Sequence, residues 1–191
     1  MRQIRYGVAA SLDGYIADPK GGYDWIVEET EIDFAAIWAR FDTLFMGRRT
    51  YELTVTQGDP GAESQGVSTF VFSRTLSQRD HPKVTIVNEN WEDTVRKVRK
   101  KPGKDIWLFG GGELFRTMLD AGLVDGIDVG VIPVLLGGGI PMLPAPARTA
   151  KLKLTKHKLY KKSGILMLAY DVVRTKPKAV HRPSAARMRA R

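Results

Sequence analysis

Short apolar runs alternate with amphipathic helical patterns along most of this chain, and that alternation constrains its fold more than any other feature. Residues 2–10 read as a strand, with Gln3, Arg5 and Gly7 alternating with Ile4, Tyr6 and Val8. Residues 11–23, rich in Gly, Asp and Pro, read as a loop. Phe34, Ile37, Trp38 and Phe41 fall at i, i+3, i+4 and i+7, the stripe of a helix that Thr30, with Asp33 three residues on, is spaced to cap. Residues 43–46 predict a short buried strand, followed by a helix through Tyr51, Glu52 and Leu53. Residues 57–66 predict a loop, and residues 69–73 and 84–87 two strands. Asn90 opens a helix with Glu92 and Asp93 in its first turn and Arg96, Lys97, Arg99, Lys100 and Lys101 towards its end, which suits the helix dipole. A strand is expected over 105–109, a helix over 113–121 and a strand-like run over 127–136, where Pro133 suggests an edge or a bend. Residues 151–161 and 165–173 form a hairpin around Lys162-Ser163-Gly164. Strands separated by helices need crossover connections, so the order predicts a largely parallel sheet covered on both faces. The hairpin must add an antiparallel strand.

The 191 residues suit one domain, placed at 1–173. The formal net charge of +9 is mostly local, because residues 174–191 hold seven Lys or Arg and no acid. The body is thus nearly neutral. Pro177, Pro183 and the scarcity of apolar residues make 174–191 a solvated, disordered end. Six lysines between Lys151 and Lys162 read as a solvated strand face or a protected sheet edge. The chain has no cysteine, which excludes a disulfide framework, a thiolate zinc site and a cysteine nucleophile; no metal is expected. No apolar run is long enough to span a bilayer and no signal-peptide pattern opens the chain, so a soluble cytoplasmic protein is expected.

Three strand ends carry groups suited to phosphate. Gly110-Gly111-Gly112 joins a strand to a helix, where glycines admit a ligand to the backbone and a helix start offers N–H groups. Phe115 stands where a Rossmann fingerprint needs its third glycine. Gly47-Arg48-Arg49-Thr50 makes a second such junction with two guanidiniums and a hydroxyl, and Ser73-Arg74 ends a third strand. Ligands of open α/β sheets sit outside the carboxyl ends of the strands, so these clusters can converge on one dinucleotide. Ser11 and Asp13 follow another strand end, with Asp24 and Trp25 further on.

These motifs, in this order, resemble the dihydrofolate reductase-like superfamily. They are most similar to stand-alone relatives of the reductase domain of bifunctional riboflavin-biosynthesis deaminase-reductases. Ser11-Leu12-Asp13-Gly14-Tyr15-Ile16-Ala17 is similar to the family's S-x-D-G-x-x-A loop, and Met46-Gly47-Arg48-Arg49-Thr50-Tyr51-Glu52 to its M-G-R-x-T-[YW]-E segment. Ser73-Arg74 matches V-x-S-R, Gly110 to Phe115 matches G-G-G-x-x-[YF], and the segment from Val131 to Gly139 resembles P-x-x-x-G-x-G. The resemblance covers about residues 2–173. It implies a three-layer α/β/α sandwich whose mostly parallel sheet ends in an antiparallel strand, with a cis Gly110-Gly111 peptide. The implied NADPH contacts are Ala10, Gly47, Arg48, Arg49, Thr50, Ser73, Arg74, Gly110, Gly111, Gly112, Glu113, Leu114 and Phe115. Ser73, Arg48, Arg49 and Arg74 would favour the 2′-phosphate, hence NADPH over NADH.

The expected function is therefore an NADPH-dependent reductase acting on a carbonyl or imine of a small polar substrate. In the riboflavin pathway that substrate is a phosphorylated ribosylamino-pyrimidine. Asp13, Asp24 and Trp25 are the candidate catalytic residues on the substrate side. Deamination is not expected, because the zinc deaminase signature needs cysteines. A dihydrofolate reductase is one alternative, although Glu28, Glu29, Glu31 and Asp33 do not match the single pterin-binding carboxylate of that enzyme. Another is a non-catalytic nucleotide-fold module that holds nucleic acid through its basic tail. The leading reading has a small-molecule substrate and a second copy of the chain as partners, the interface drawn from 127–136 and the hairpin, with neither nucleic acid nor membrane.

Overall fold

In the computed structural model, which describes residues 1–56 and 66–174, β1 (Ile4–Ser11) lies inside an eight-stranded sheet. The expected loop over 57–66 lies outside the described residues except for Gly66, and the basic tail except for Arg174. The chain continues through β2 (Tyr15–Ala17), α1 (Phe34–Trp38), β3 (Phe41–Gly47), α2 (Arg48–Thr56), β4 (Ser68–Phe72) and β5 (Thr85–Val87). Then follow α3 (Trp91–Lys100), β6 (Asp105–Gly110), α4 (Gly112–Asp120), β7 (Gly126–Ile132), β8 (Ile140–Pro141), β9 (Lys151–Leu159) and β10 (Leu166–Val173). The strand order is β5-β4-β3-β6-β1-β7-β10-β9. The first six strands of that order run parallel, and β10 is antiparallel to both β7 and β9. Gly110-Gly111 is cis, as is Ala145-Pro146.

Period-two alternation builds three layers. Ile4 and Tyr6 of β1, Phe45 of β3 and Ile106 and Leu108 of β6 meet Val95 and Val98 of α3 and Phe115, Met118 and Leu119 of α4 in one buried cluster. Leu44, Met46 and Val71 point the other way and pack with Tyr51 of α2, Trp38, Trp107 and Phe109. A buried side chain of this size contributes roughly 1.5–3 kcal/mol relative to an exposed one. Tyr6 stacks on Phe115 with ring centroids 4.0 Å apart and planes within 11°, which fixes α4 against β1. Gly7 is needed where Trp107 crosses β1: its carbonyl accepts the indole N–H at 3.1 Å, and a Cβ there would stand 2.4 Å from the ring nitrogen.

Asp125 fastens several chain segments at once. It accepts the Ile4 N–H at 2.9 Å and pairs with Arg99 at the end of α3 and Arg174 after β10. Arg5, buried in β1, pairs with Asp128 of β7 at 2.7 Å and Asp171 of β10 at 3.2 Å, and these carboxylates raise its pKa further.

Several boundaries differ from the sequence reading. The helix after Thr30 has only five residues; Asp33 caps it by accepting the Ala36 N–H at 2.8 Å, and Phe41 opens β3 instead of completing a stripe. Phe34 is 58% exposed, so α1 docks through Trp38, whose ring lies 4.8 Å from that of Trp107. Too short for two turns, the helix yields its last apolar residue to the sheet. The loop over 11–23 contains β2, which pairs with β8. The run over 127–136 stops at Ile132, because β7 lies between β1 and β10 and Pro133 cannot donate to an interior ladder. Pro133 therefore marks a bend and not an edge, and β7 offers no edge to a partner.

The hairpin matches its reading. All nine residues of β9 are exposed on a sheet edge. A bulge opposite Ala169/Tyr170 sorts Lys151, Lys153, Lys156 and Lys158 onto one face and Leu152, Leu154, His157 and Leu159 onto the other.

The Tyr6 hydroxyl is buried without a hydrogen-bond partner among the described residues, and burial raises its pKa. An unpaired buried polar group costs about 1–3 kcal/mol. Tyr6→Phe keeps the ring stack and is expected to raise the stability measured by urea unfolding; a loss of stability would reveal a partner for the hydroxyl.

Candidate functional site

The site grows from the carboxyl ends of three neighbouring parallel strands. β3 passes directly into α2 at Gly47-Arg48, and β6 passes into α4 through Gly111. Met46 is in register with Gly110, and Gly47 with Phe72 just before Ser73 and Arg74. Parallel pairing thus sets two helix starts and a third strand end side by side. Positions on neighbouring strands share the resulting edge. Thr50 is the closest neighbour of the cis pair: a Cβ on Gly110 would meet its Oγ1 at 3.2 Å and one on Gly111 at 3.5 Å. Arg48 donates to Thr75 Oγ1 at 3.4 Å, joining the α2 start to the turn after β4. Ser73 Oγ accepts the N–H groups of Thr75 and Leu76 at 3.2 and 3.1 Å, which shapes the turn that presents Arg74.

The chemistry of this edge is that of an anion cradle. No side chain caps the start of α4, and its first i to i−4 bond is Phe115 N–H to Gly111 O, so the preceding N–H groups face outward from the ladder. A Cβ on Gly47 would stand 4.0 Å from Gly110 O, Gly111 N and Leu114 Cβ, so the Gly47 backbone lies within one methyl group of the 110–111 peptide. Arg48, Arg49 and Arg74 are exposed, and neither Arg49 nor Arg74 has a carboxylate partner among the described residues. Donors, positive dipole ends and guanidiniums therefore meet here, with Glu52 beside Arg48 and Glu113 paired to Arg116 as the nearby carboxylates.

Not every residue of the expected set meets the cradle through its side chain. Phe115 is 1% exposed and stacked on Tyr6, so its side chain anchors α4 in the core. Ala10 is buried in the same cluster. Glu113 pairs with Arg116 at 2.7 Å, and Leu114 packs against the core at its margin beside Gly47.

Asp13 lies in a second loop system. Ser11 Oγ donates to it at 2.6 Å, and the Leu136 and Gly137 N–H groups at 3.2 and 2.8 Å. These donors, Ser11 first, hold its pKa below the ordinary carboxylate value. Leu12 N–H to Val134 O and Met142 N–H to Gly14 O, each at 2.9 Å, complete a clasp between the turn after β1 and the segment after β7. That segment then lies on the start of α4, where a Cβ on Gly112 would stand 2.5 Å from Pro141 O. Sequence reasoning missed this bridge; Pro133 and the glycines at 137–139 signalled a bend but not its target.

Trp25 belongs to a third cluster with Ile132, Tyr160 and Ile165, and its indole donates to Gly22 O at 3.2 Å. Asp24 is exposed, with no hydrogen bond or ion pair among the described residues. Neither is brought into contact with the glycine turns. The acids before α1 have structural partners: Asp33 caps α1, Glu31 pairs with Lys162 at 3.1 Å, and the Ser163 hydroxyl chiefly holds Glu29 below the usual range.

Comparison with known proteins agrees with this architecture. The family model for the RibD C-terminal domain matches residues 2–166. The chain is 31% identical over 179 residues to the uncharacterized protein YyaP of Bacillus subtilis (strain 168), covering 88% of this chain and 94% of that one. It resembles the crystal structure of a putative riboflavin biosynthesis protein from Shewanella sp. PV-4 with TM-score 0.77 and 27% identity, over 90% of this chain and 99% of that one. The fold is shared with dihydrofolate reductase from Enterococcus faecalis, solved with NADP(H), at TM-score 0.63 and 15% identity over 89% and 96% of the two chains.

The Asp13 clasp has a pH signature. Its folded pKa is lowered, so the clasp is complete above the ordinary carboxylate range and is lost as pH falls through the lowered value. Asp13→Ala is expected to leave the sheet intact while lowering hydrogen-exchange protection at Leu136 and Gly137. Acid should do the same to the parent protein; unchanged protection factors in both cases would overturn the assignment.

Proposed function

The chain belongs to the RibD C-terminal domain family, and we propose that it is an NADPH-dependent reductase of the riboflavin-biosynthesis type. The substrate is a small polar molecule with a carbonyl or imine, in the manner of 5-amino-6-(5-phosphoribosylamino)uracil reduction. The observation that carries this reading is the convergence of three phosphate-donor junctions on one sheet edge, where Thr50 lies against the 110–111 peptide.

NADPH fits the groups present. The start of α4 and the Gly47–Thr50 junction would hold the pyrophosphate through N–H groups and the Thr50 hydroxyl. Arg74, with Arg48 and Arg49, would meet the 2′-phosphate through planar guanidinium donors. Bound there, NADPH supplies a hydride for transfer to the substrate carbon. The chain's own part is to orient both molecules. Asp13 keeps the turn after β1 fixed to the 134–142 segment, which forms one wall beside the glycine turn. Its carboxylate is ionised near neutral pH and acts as an acceptor, so water delivers the proton that accompanies the hydride. Asp24 and Trp25 remain the candidates for substrate contact from the 20–33 loop. No helix among the described residues is long and apolar enough to cross a membrane, and the reading includes a cytoplasmic location.

The same reading includes a homodimer. The surface to be covered is the hairpin face with Leu152, Leu154 and Leu159, which are 42%, 46% and 55% exposed. Sedimentation velocity on the parent and on Leu154→Lys should give a dimer and a monomer; a monomeric parent would refute the dimer.

The cofactor reading is tested by titrating NADPH and NADH separately, following quenching of the four tryptophans with calorimetry as the check. NADPH is expected to bind tightly and NADH weakly. Arg74→Ala should weaken NADPH about tenfold or more, at least ~1.4 kcal/mol, with NADH unchanged. No binding of either nucleotide would overturn the function, and an unchanged NADPH affinity would remove Arg74 from the 2′-phosphate site.

A further inference from the structure

The guanidiniums of the cradle come from two separate stretches of chain. α2 supplies Arg48 and Arg49, and the segment between β4 and β5 supplies Arg74. That second segment is held as one unit. Ser77 Oγ accepts the Arg79 N–H at 3.2 Å and caps a single 3₁₀ turn over Gln78–Asp80. The Gln78 amide donates to the carbonyls of His81 and Val84 at 3.0 and 2.8 Å, and its oxygen accepts the Ile86 N–H at 2.9 Å. One side chain thus binds the turn to β5. At the other end, the Ser73 N–H donates to Val87 O at 3.0 Å.

α2 meets this unit through two polar links. Arg48 donates to Thr75 Oγ1 at 3.4 Å between exposed groups, near the outer limit of a hydrogen bond. The second link joins the Tyr51 hydroxyl to His81 Nδ1 at 3.1 Å, with the rings edge to face and their centroids 5.3 Å apart. A hydroxyl can donate to this nitrogen or accept from it, so the link serves either tautomer. Tyr51 is 6% exposed and packs in one cluster with Val71 and Val84, and His81 is half-buried. The second link is therefore shorter and better shielded from water than the first. Like charges on the two segments favour their separation until an anion arrives. The Tyr51–His81 link opposes that separation.

We propose that His81 is a positioning residue for recognition of a nucleotide 2′-phosphate: through the Tyr51 hydroxyl it sets the spacing between Arg48 and Arg49 on α2 and Arg74 beyond β4. The proposal rests on the nucleotide reading of the cradle and adds to it a residue that acts through another side chain. Guanidinium donors are planar, and a bidentate pair with phosphate is lost by a small misplacement, so fixed spacing matters to them. In the same reading the pyrophosphate donors lie at the start of α4 and at Gly47–Thr50. A nucleotide without the 2′-phosphate is therefore indifferent to His81.

The test is calorimetric titration of NADPH and NADH into the full-length protein and its variants. His81→Phe and Tyr51→Phe each keep a ring and remove one side of the bond. Each is expected to weaken NADPH about threefold to tenfold, the worth of one neutral hydrogen bond, and to leave NADH unchanged. The double variant should be no weaker than the weaker single one, because the two groups act as a pair. His81→Asn, whose amide can stand where Nδ1 stood, should restore most of the preference for NADPH. Without nucleotide, hydrogen exchange at the Thr75 and Leu76 N–H groups should be faster in both ring variants than in the parent. A parent that binds neither nucleotide, or both alike, overturns the cofactor reading and this role with it. Where the parent prefers NADPH, three results overturn the role of His81 alone: a parent-like preference in either ring variant, equal weakening of both nucleotides, or additive losses in the double variant.

Discussion

The parallel pairing of β3 with both β4 and β6 is the constraint on which the rest depends. Parallel strands end at the same edge, so Gly47, Ser73 and Gly110 are neighbours although the sequence separates them widely. The helices that follow β3 and β6 begin where those strands stop, which sets two positive dipole ends beside each other. No side chain has to travel to assemble the donors. The backbone direction does it, and glycine at 110 and 111 lets the cis peptide lie close against Thr50.

Packing below and loops above hold that adjacency in place. Below, the Tyr6–Phe115 stack and the Trp107 crossing at Gly7 hold the helices and strands at fixed separations. Above, the Asp13 carboxylate is shared by the turn after β1 and the segment after β7, which continues onto the start of α4. One carboxylate thus connects the turn after β1 to the segment that reaches the glycine turn. A protonated Asp13 would keep the same atoms but lose the charge-assisted character of those bonds.

The fold was largely legible because its signals are local. Alternation in β1, the dipole pattern of α3 and the glycine in the hairpin turn each report on their own segment. The meeting of Gly47, Ser73 and Gly110 was legible because these residues sit at strand ends and parallel topology brings such ends together. What escaped depends on distant partners. β2 is three residues long and exists only because β8 pairs with it. Phe41 fitted the helical stripe, yet β6 recruited it into β3. Phe115 stood in a motif beside the glycines, but the next turn of the helix carries it under the sheet onto Tyr6. Asp13 looked like a turn-former or a site acid, and only the position of Leu136 and Gly137 shows that it joins two loops.

The rule that assembles the cradle also explains why basic residues collect at the opposite end. A helix returning from the strand ends is stabilised by acids in its first turn and bases in its last, and α3 follows this with Glu92 and Asp93 against Lys97, Arg99 and Lys100. Each such placement contributes about 0.3–1 kcal/mol. That local reason accounts for Lys97 and Lys100. It weakens beyond the last turn, so it explains Lys101 and Lys104 less well, and it has no bearing on the basic run after Arg174. Asp125 pairs with the buried Arg99 and the exposed Arg174, and Asp42 with the buried Arg2.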